Sequence, residues 1–366
     1  MNFKTICEKV KNGQRLSCKD GLFLLAHSDL LQLGELADHV RLRHHPQPVV
    51  TFVSDRNINY TNACVSGCRF CAFYRPLGHA EAYVIDRKTL CDKIEETIKL
   101  GGTQILLQGG MNPELGLDWY TDLLLFIKSK FDIHIHGFSP PEIFFLAEKS
   151  GLPVSIVIKR LVEAGLGSVP GGGAEILVDR VRGQISPNKC NAGQWLNVMR
   201  AVHKAGLRSS ATMMFGHIES DEDIMEHLDK IRYLQDETDE THGFTAFIPW
   251  SFQPANTKID VLPAGAVRYL KVLAASRIFL DNIENIQASW VTQGDKIAQL
   301  ALAFGANDFG STMIEENVVA AAGVTFRLNA AQICRLIKDA GYSPVQRDCF
   351  YNPVSGSHPP ETKGAA

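Results

Sequence analysis

Cys64, Cys68 and Cys71 lie in the run Asn62-Ala63-Cys64-Val65-Ser66-Gly67-Cys68-Arg69-Phe70-Cys71-Ala72-Phe73, at the spacing C-x3-C-x2-C. The other six of the nine cysteines are scattered, mostly through stretches of helical period, and read as small buried hydrophobes. A cubane of four irons ordinarily takes four thiolates. Three thiolates leave one iron open to chelate an incoming ligand. A structural zinc site would be closed by a fourth Cys or a His at matching spacing. The nearest His here is His79, eight residues past Cys71, and Cys91 falls inside an apparent helix. The triplet therefore points to an iron–sulfur cluster with one free position. A non-catalytic iron–sulfur or zinc protein is the alternative from another functional class.

Three glycine-bearing segments could bring backbone close to a ligand. Gln108-Gly109-Gly110-Met111 follows a short apolar run. Gly171-Gly172-Gly173-Ala174-Glu175 precedes a helical stretch containing Asp179 and Arg180, which places Glu175 in a first helical turn. Met214-Phe215-Gly216-His217-Ile218-Glu219 follows another apolar run. Each has a plainer reading as a βα turn, a dipole-stabilised acid or, for His217, a satisfied loop histidine.

The elements that must hold these residues alternate. Strand-like runs are read at 49–54, 103–107, 132–137, 166–169, 209–214, 243–248, 283–289 and 306–310, the fourth weakly signalled. Helical patterns are read between them at 86–100, 118–130, 141–150, 191–205, 221–235, 265–282 and 294–304. Eight strands in βα alternation predict a closed parallel (β/α)8 barrel rather than an open doubly wound sheet. The cysteine loop then stands at the C-terminal end of the first strand, the mouth where barrel chemistry occurs. The division expected is a helical extension at 1–45, a barrel at 46–312, a helical extension packed on it at 313–352 and a disordered tail at 353–366.

With 366 residues the chain can bury a large core without staples. A hydrophobic share of 45% and a charged share of 21% are ordinary for a globular protein. A formal charge of -3 gives no electrostatic reason to expect nucleic acid or an anionic membrane as partner. No apolar run is long enough for a membrane helix, and residues 1–13 mix Lys and Glu with apolar residues, so the expected location is cytoplasmic.

The C-x3-C-x2-C triplet after a first barrel strand resembles the signature of the radical S-adenosylmethionine (SAM) enzymes. The resemblance implies a [4Fe–4S] cluster on Cys64, Cys68 and Cys71, with SAM chelating the open iron and cleaved to a 5′-deoxyadenosyl radical. It places Phe70 near the adenine and Gln108, Gly109 and Gly110 at the amino group. Glu175 would meet the ribose hydroxyls, Arg180 the carboxylate, and Gly216 and Glu219 the adenosyl part. Tyr60-Thr61-Asn62 and Cys71-Ala72-Phe73-Tyr74-Arg75 are similar to the branch that makes menaquinone intermediates and the deazaflavin chromophore. The segments 136–143, 247–254, 287–294, 307–312 and 315–317 resemble the family that cyclises dehypoxanthine futalosine on the futalosine route to menaquinone. The likeness runs from about residue 15 to about residue 350.

That family's reaction implies a water-poor pocket with a carboxylate anchor and a base. His136, Ser139, Thr245, Gln253, Gln287 and Ser289 have suitable side chains for the substrate, and Asp308 or Glu315 for the base. A small electron donor such as flavodoxin or ferredoxin is implied as partner. The sister reactions, aminofutalosine synthesis and the tyrosine-handling step of deazaflavin synthesis, are the alternatives within the branch.

Overall fold

Apolar runs of strand length followed by amphipathic helices give the chain parallel pairing throughout. The computed structural model describes residues 2–27, 29–238 and 242–354. Its strands are β1 (Val49–Val53), β2 (Asp55–Asn59), β3 (Gln104–Gln108), β4 (His134–Gly137), β5 (Arg208–Phe215), β6 (Gly243–Ser251), β7 (Asn285–Ile286), β8 (Asp308–Ser311) and β9 (Ser343–Gln346).

β2, β3 and β4 pair in order, as do β5, β6 and β7, while β1 pairs with β8, all parallel. Single bridges join these pieces: His136 with Ser168, Val169 with Ser209, and Gln287 with Asp308. Residues 168 and 169 thus serve as the fourth strand. β1 and β2, separated only by Ser54, act as one bent first strand. The result is the closed (β/α)8 ring.

The first strand runs five residues further than its apolar pattern suggests. Asp-Arg-Asn-Ile-Asn is a poor strand signal on composition, yet all five residues are buried. Alternation explains this. Asp55 and Asn57 face a cavity inside the barrel, while Arg56 faces outward to Glu96 and Glu315. Two further corrections concern helices. Val154–Glu163 is helical and had no predicted counterpart. Glu175 is not in a helical turn: it has φ +41°, and the helix begins at Asp179.

Before the barrel, helices Phe3–Lys11, Cys18–His27 and Leu30–His44 contribute Ile6, Leu24, Leu25 and Leu33 to one apolar core continuous with the barrel's. Gly34 lets Leu30–His44 approach closely, because a Cβ there would stand 2.8 Å from the Phe304 ring. After β8 come a short helix Val318–Ala321, the helix Ala330–Asp339 and β9. β9, which the sequence reading did not foresee, pairs with β1 from Val49↔Ser343 to Phe52↔Gln346. The chain beyond it enters the N-terminal end of the barrel. Arg347, Cys349 and Tyr351 reach the internal cavity, and Phe350 meets the His134 ring edge-on at 5.0 Å. Of the tail expected at 353–366, residues 355–366 lie outside the described residues.

Candidate active site

The cysteine loop leaves β2 and is tied to itself by backbone and by Asn62. Cys64 N–H donates to Arg75 O (3.0 Å), Arg75 N–H to Asn62 O (2.8 Å), and Asn62 Nδ2 to Glu81 O (2.9 Å). The three thiols are free. Donors surround their sulfurs. Ser66 N–H and Met111 N–H point at Cys64 Sγ (3.4 and 3.3 Å), Ser66 Oγ stands 2.6 Å from Cys68 Sγ, and the Phe73 and Tyr74 N–H groups face Cys71. Burial pushes the Cys68 thiol up to about 11, opposed by the nearby Lys189 ammonium. A coordinating metal removes that cost by deprotonating the thiol outright, and N–H groups on the sulfurs are what tune iron–sulfur clusters. The donor set therefore fits the cluster. Among the described residues no three His, Cys, Asp or Glu side chains converge as a single ion requires; a four-iron cubane is a wider group.

Gly109 and Gly110 end β3 against this loop. A Cβ at Gly109 would lie 2.6 Å from the Tyr60 ring, and one at Gly110 2.3 Å from Ala63 O, so only glycine fits. Gly109 N–H is accepted by Glu142 Oε1 (3.0 Å) and Gly110 N–H by Thr61 O (2.9 Å). Gln108 faces the cavity beside them.

The opposite wall carries buried charge. Lys189 Nζ lies 5.1 Å above the Phe70 ring and 3.0 Å from Glu175 Oε1, and Arg182 Nη1 stands 3.5 Å from Glu175 Oε2. Arg180, expected beside SAM, is instead half exposed and paired with Asp223. Side chains two residues apart on a helix point about 200° apart, and Arg182 is the one that turns inward. Gly216, at φ +89°, and His217 donate their N–H groups to Glu219 (2.6 and 2.9 Å), so Glu219 folds its own loop. His217 Nε2 donates to Met214 O (3.1 Å) while Nδ1 accepts from Ile218 N–H (2.7 Å), a satisfied neutral loop histidine.

Between these walls and the segment after β9 lies a cavity of about 290 Å³. Trp250, Trp290, Leu106, Ile248 and Val319 supply apolar lining. Four of the six residues expected at the substrate line it: His136, Thr245, Gln287 and Ser289. Two do not. Ser139 is the N-cap of helix Pro140–Ser150 in a reciprocal box with Glu142, and Gln253 hydrogen-bonds to Ser251 and faces a neighbouring cleft.

Neither expected base reaches the cavity. Asp308 is fully buried and saturated by Arg347 Nε (2.6 Å) and Nη2 (3.0 Å), Thr51 Oγ1 (2.6 Å) and Gly310 N–H (2.9 Å). Glu315 sits outside the first strand with Lys93, Arg56 and Asn317. The carboxylates that do face the cavity are Asp55, Glu175 and Glu316. Glu316 accepts the Val318, Val319 and Ala320 N–H groups (2.8–3.0 Å), and Asp55 is bonded by Gln104 and Ser311. Burial pushes both above the usual carboxylate range. Arg182, Lys189, Asp55, Arg347 and Tyr351 carried no motif that would have singled them out, whereas Glu316 stood in the segment 315–317, beside the acid expected as base.

Two family descriptions cover most of the chain: "Radical SAM superfamily" over residues 58–231 and "CofH/MqnC C-terminal region" over residues 241–358. A cyclic dehypoxanthine futalosine synthase of Halalkalibacterium halodurans is 49% identical over 96% of this chain and 95% of that protein. This chain belongs to the radical SAM superfamily. Within it, the chain belongs to the branch that also holds a cyclic dehypoxanthine futalosine synthase of Streptomyces coelicolor, 39% identical over 96% of this chain and 88% of that one. The same branch includes a 5-amino-6-(D-ribitylamino)uracil–L-tyrosine 4-hydroxyphenyl transferase of Methanothermobacter thermautotrophicus, 38% identical over 97% and 99%. The fold is that of the FeFe-hydrogenase maturase HydG from Carboxydothermus hydrogenoformans, at TM-score 0.74 and 16% identity over 95% of this chain and 80% of that one. As a radical SAM enzyme it uses a [4Fe–4S] cluster and SAM. No helix among the described residues is long and apolar enough to cross a membrane.

Proposed function

We propose that this chain cyclises dehypoxanthine futalosine in menaquinone biosynthesis. Hydrogen abstraction at C4′ of the ribose, addition of the carbon radical to the attached benzoate ring, and loss of one electron and one proton give the spirocyclic product. The observation that carries this reading is the 49% identity to a cyclase along nearly the whole chain. The barrel adds a largely apolar internal cavity of a size suited to a small ligand.

When bound, the reduced cluster supplies the electron that splits SAM into methionine and the 5′-deoxyadenosyl radical. Cys64, Cys68 and Cys71 would hold that cluster. The Gln108-Gly109-Gly110 turn, Glu175, Lys189 and Arg182 would surround SAM, with Phe70 beside it. Trp250 and Trp290 keep water from the reacting carbons, while His136, Thr245, Gln287 and Ser289 orient the substrate. Electrons come from a small carrier such as flavodoxin or ferredoxin. Arg69, Val65 and Leu77, all exposed on the cluster loop, offer a basic and apolar rim for it. The enzyme works in the cytoplasm.

The test is anaerobic: reconstituted, reduced protein with SAM and dehypoxanthine futalosine, read by mass spectrometry. 5′-Deoxyadenosine together with a product two hydrogens lighter than the substrate is expected. Deoxyadenosine without that product would overturn the substrate assignment in favour of a sister reaction.

A further inference from the structure

Rearomatisation of the ring requires a proton to leave a largely apolar cavity, and both acids expected as base are committed elsewhere. Among the described residues lining the cavity, each carboxylate is already bonded: Asp55 to Gln104 and Ser311, Glu175 to Lys189, Glu316 to three N–H groups. Tyr351 has a buried hydroxyl without a partner, but burial pushes its pKa up, so it keeps its proton at neutral pH and offers no base. His136 differs. Its Nδ1 lies 2.6 Å from Ser168 Oγ, which leaves Nε2 as the ring nitrogen for the cavity.

Ser168 Oγ makes a second short contact, 2.7 Å to His134 Nε2. His134 and His136 share one face of β4 because they are two residues apart, and Ser168 bridges to His136 in the adjoining strand position. His136 and Ser168 are 9% and 1% exposed, whereas His134 is partly exposed at the N-terminal end of the barrel. Gly167 makes this possible: a Cβ there would lie 2.5 Å from the His134 ring. Cys349 Sγ, 3.2 Å from Ser168 Oγ, completes the serine's surroundings. A hydroxyl between two imidazole nitrogens can accept from one and donate to the other, and which does which is set by the tautomers.

We propose that His136, Ser168 and His134 form the proton exit of the cyclisation, with His136 as general base. The inference rests on the cyclase reading above. After the C4′ radical has added to the ring, the C–H bond at the attacked carbon breaks heterolytically. Its electron pair stays in the ring, giving the aromatic radical anion, and the proton goes to His136 Nε2. His136 Nδ1–H passes its proton to Ser168 Oγ, and the serine hydroxyl proton goes to His134 Nε2. The remaining unpaired electron leaves separately to an iron–sulfur acceptor, which the cofactor of this superfamily supplies. Burial holds both imidazoles neutral, which leaves His136 Nε2 with its lone pair, and passing the proton on through Ser168 spares the buried ring from keeping the charge that burial disfavours. The exit lies at the barrel end opposite the cysteine loop.

The experiment compares wild type, His136→Gln and Ser168→Ala, each with its cluster content measured, using substrate carrying deuterium at the attacked ring carbon. General-base removal typically costs about 10²–10⁴-fold. In His136→Gln, product formation should fall by that order while deoxyadenosine continues, so the ratio of deoxyadenosine to product rises. Ser168→Ala, which keeps the base and cuts the relay, should show a smaller fall. Both should show a primary deuterium isotope effect on product formation that exceeds the wild type's. Wild-type turnover with an unchanged ratio and isotope effect in a cluster-loaded His136→Gln overturns the proposal. Should that variant lose its cluster, an unchanged Ser168→Ala overturns it. Deoxyadenosine without cyclised product from wild type would instead overturn the assigned reaction, and the relay with it.

Discussion

At the residue scale, the cluster loop and the glycine turn are one object. Gly110 has no room for a Cβ because backbone, not a flexible side chain, stands 2.3 Å away. Gly110→Ala must therefore move the loop that carries Cys64. The expected result is soluble protein with reduced iron and sulfide after reconstitution and a matching loss of deoxyadenosine formation. A full cluster in that variant would show that the contact can relax. Cys64→Ala, Cys68→Ala and Cys71→Ala should each abolish SAM cleavage, whereas Cys190→Ala and Cys334→Ala should leave cluster content unchanged. The cysteines were legible because cluster chemistry fixes their spacing in the chain. Glu175's partners were not. Arg180 and Arg182 both follow Glu175 closely, and chain spacing alone does not say which of them reaches it. Ser139 is the converse case. Ser-Pro-Pro-Glu is a capping-box pattern, so its structural task was written in the sequence beside the functional one.

At the scale of elements, the segment after β9 closes the barrel from below, and its anchor is the Arg347–Asp308 pair. Both residues are nearly or wholly buried, and the pairing is bidentate. Removing one partner of such a pair leaves an uncompensated buried charge, at a cost of about 3–5 kcal/mol. Arg347→Met should lower the unfolding free energy by about that amount, read from the urea midpoint at an unchanged slope. The double variant Arg347→Met with Asp308→Asn should recover part of the loss, since no charge is then stranded. Equal stability of the single variant and wild type would mean that the segment does not hold the barrel closed. β9 was illegible because Ser-Pro-Val-Gln offers one apolar residue and a proline, and its strand character comes from pairing with β1. β2 was illegible for another reason: Asp55 and Asn57 bring polar groups to the cavity and Arg56 faces outward, so the strand carries no apolar alternation. Apart from the fourth strand, which is only two bridged residues, and the helix Val154–Glu163, the alternation of strands and helices was clear from sequence, because these elements carry apolar faces toward the core.

At the scale of the whole molecule, burial of imidazoles sets the response to acid. His44, His45, His134 and His203 are pushed down to about 4, and His136 and His227 to about 3, in each case chiefly by burial. In the unfolded chain these groups titrate near 6.5. Between about pH 6.5 and pH 4 the unfolded state therefore binds protons that the folded state refuses, and stability falls as pH falls through that window. Asp55, Glu142 and Glu316 act in the other sense, since burial raises them. They number three, and they oppose the imidazoles above about pH 4, where the folded state already takes up protons at these acids and the unfolded chain does not. The six imidazoles outnumber these acids, and the net expectation is a loss of stability as pH falls from about 6.5. His227 is the cleanest probe. It is wholly buried, lies outside the cavity, and accepts the Leu177 N–H at one nitrogen (3.0 Å). His227→Gln should flatten the slope of unfolding free energy against pH between 6 and 4 by up to about 1.4 kcal/mol per pH unit, whatever it does to stability at pH 8. Urea unfolding at several pH values measures that slope directly. An unaltered slope would mean that His227 takes up its proton in the folded barrel, and that the acid response comes from the partly exposed histidines instead.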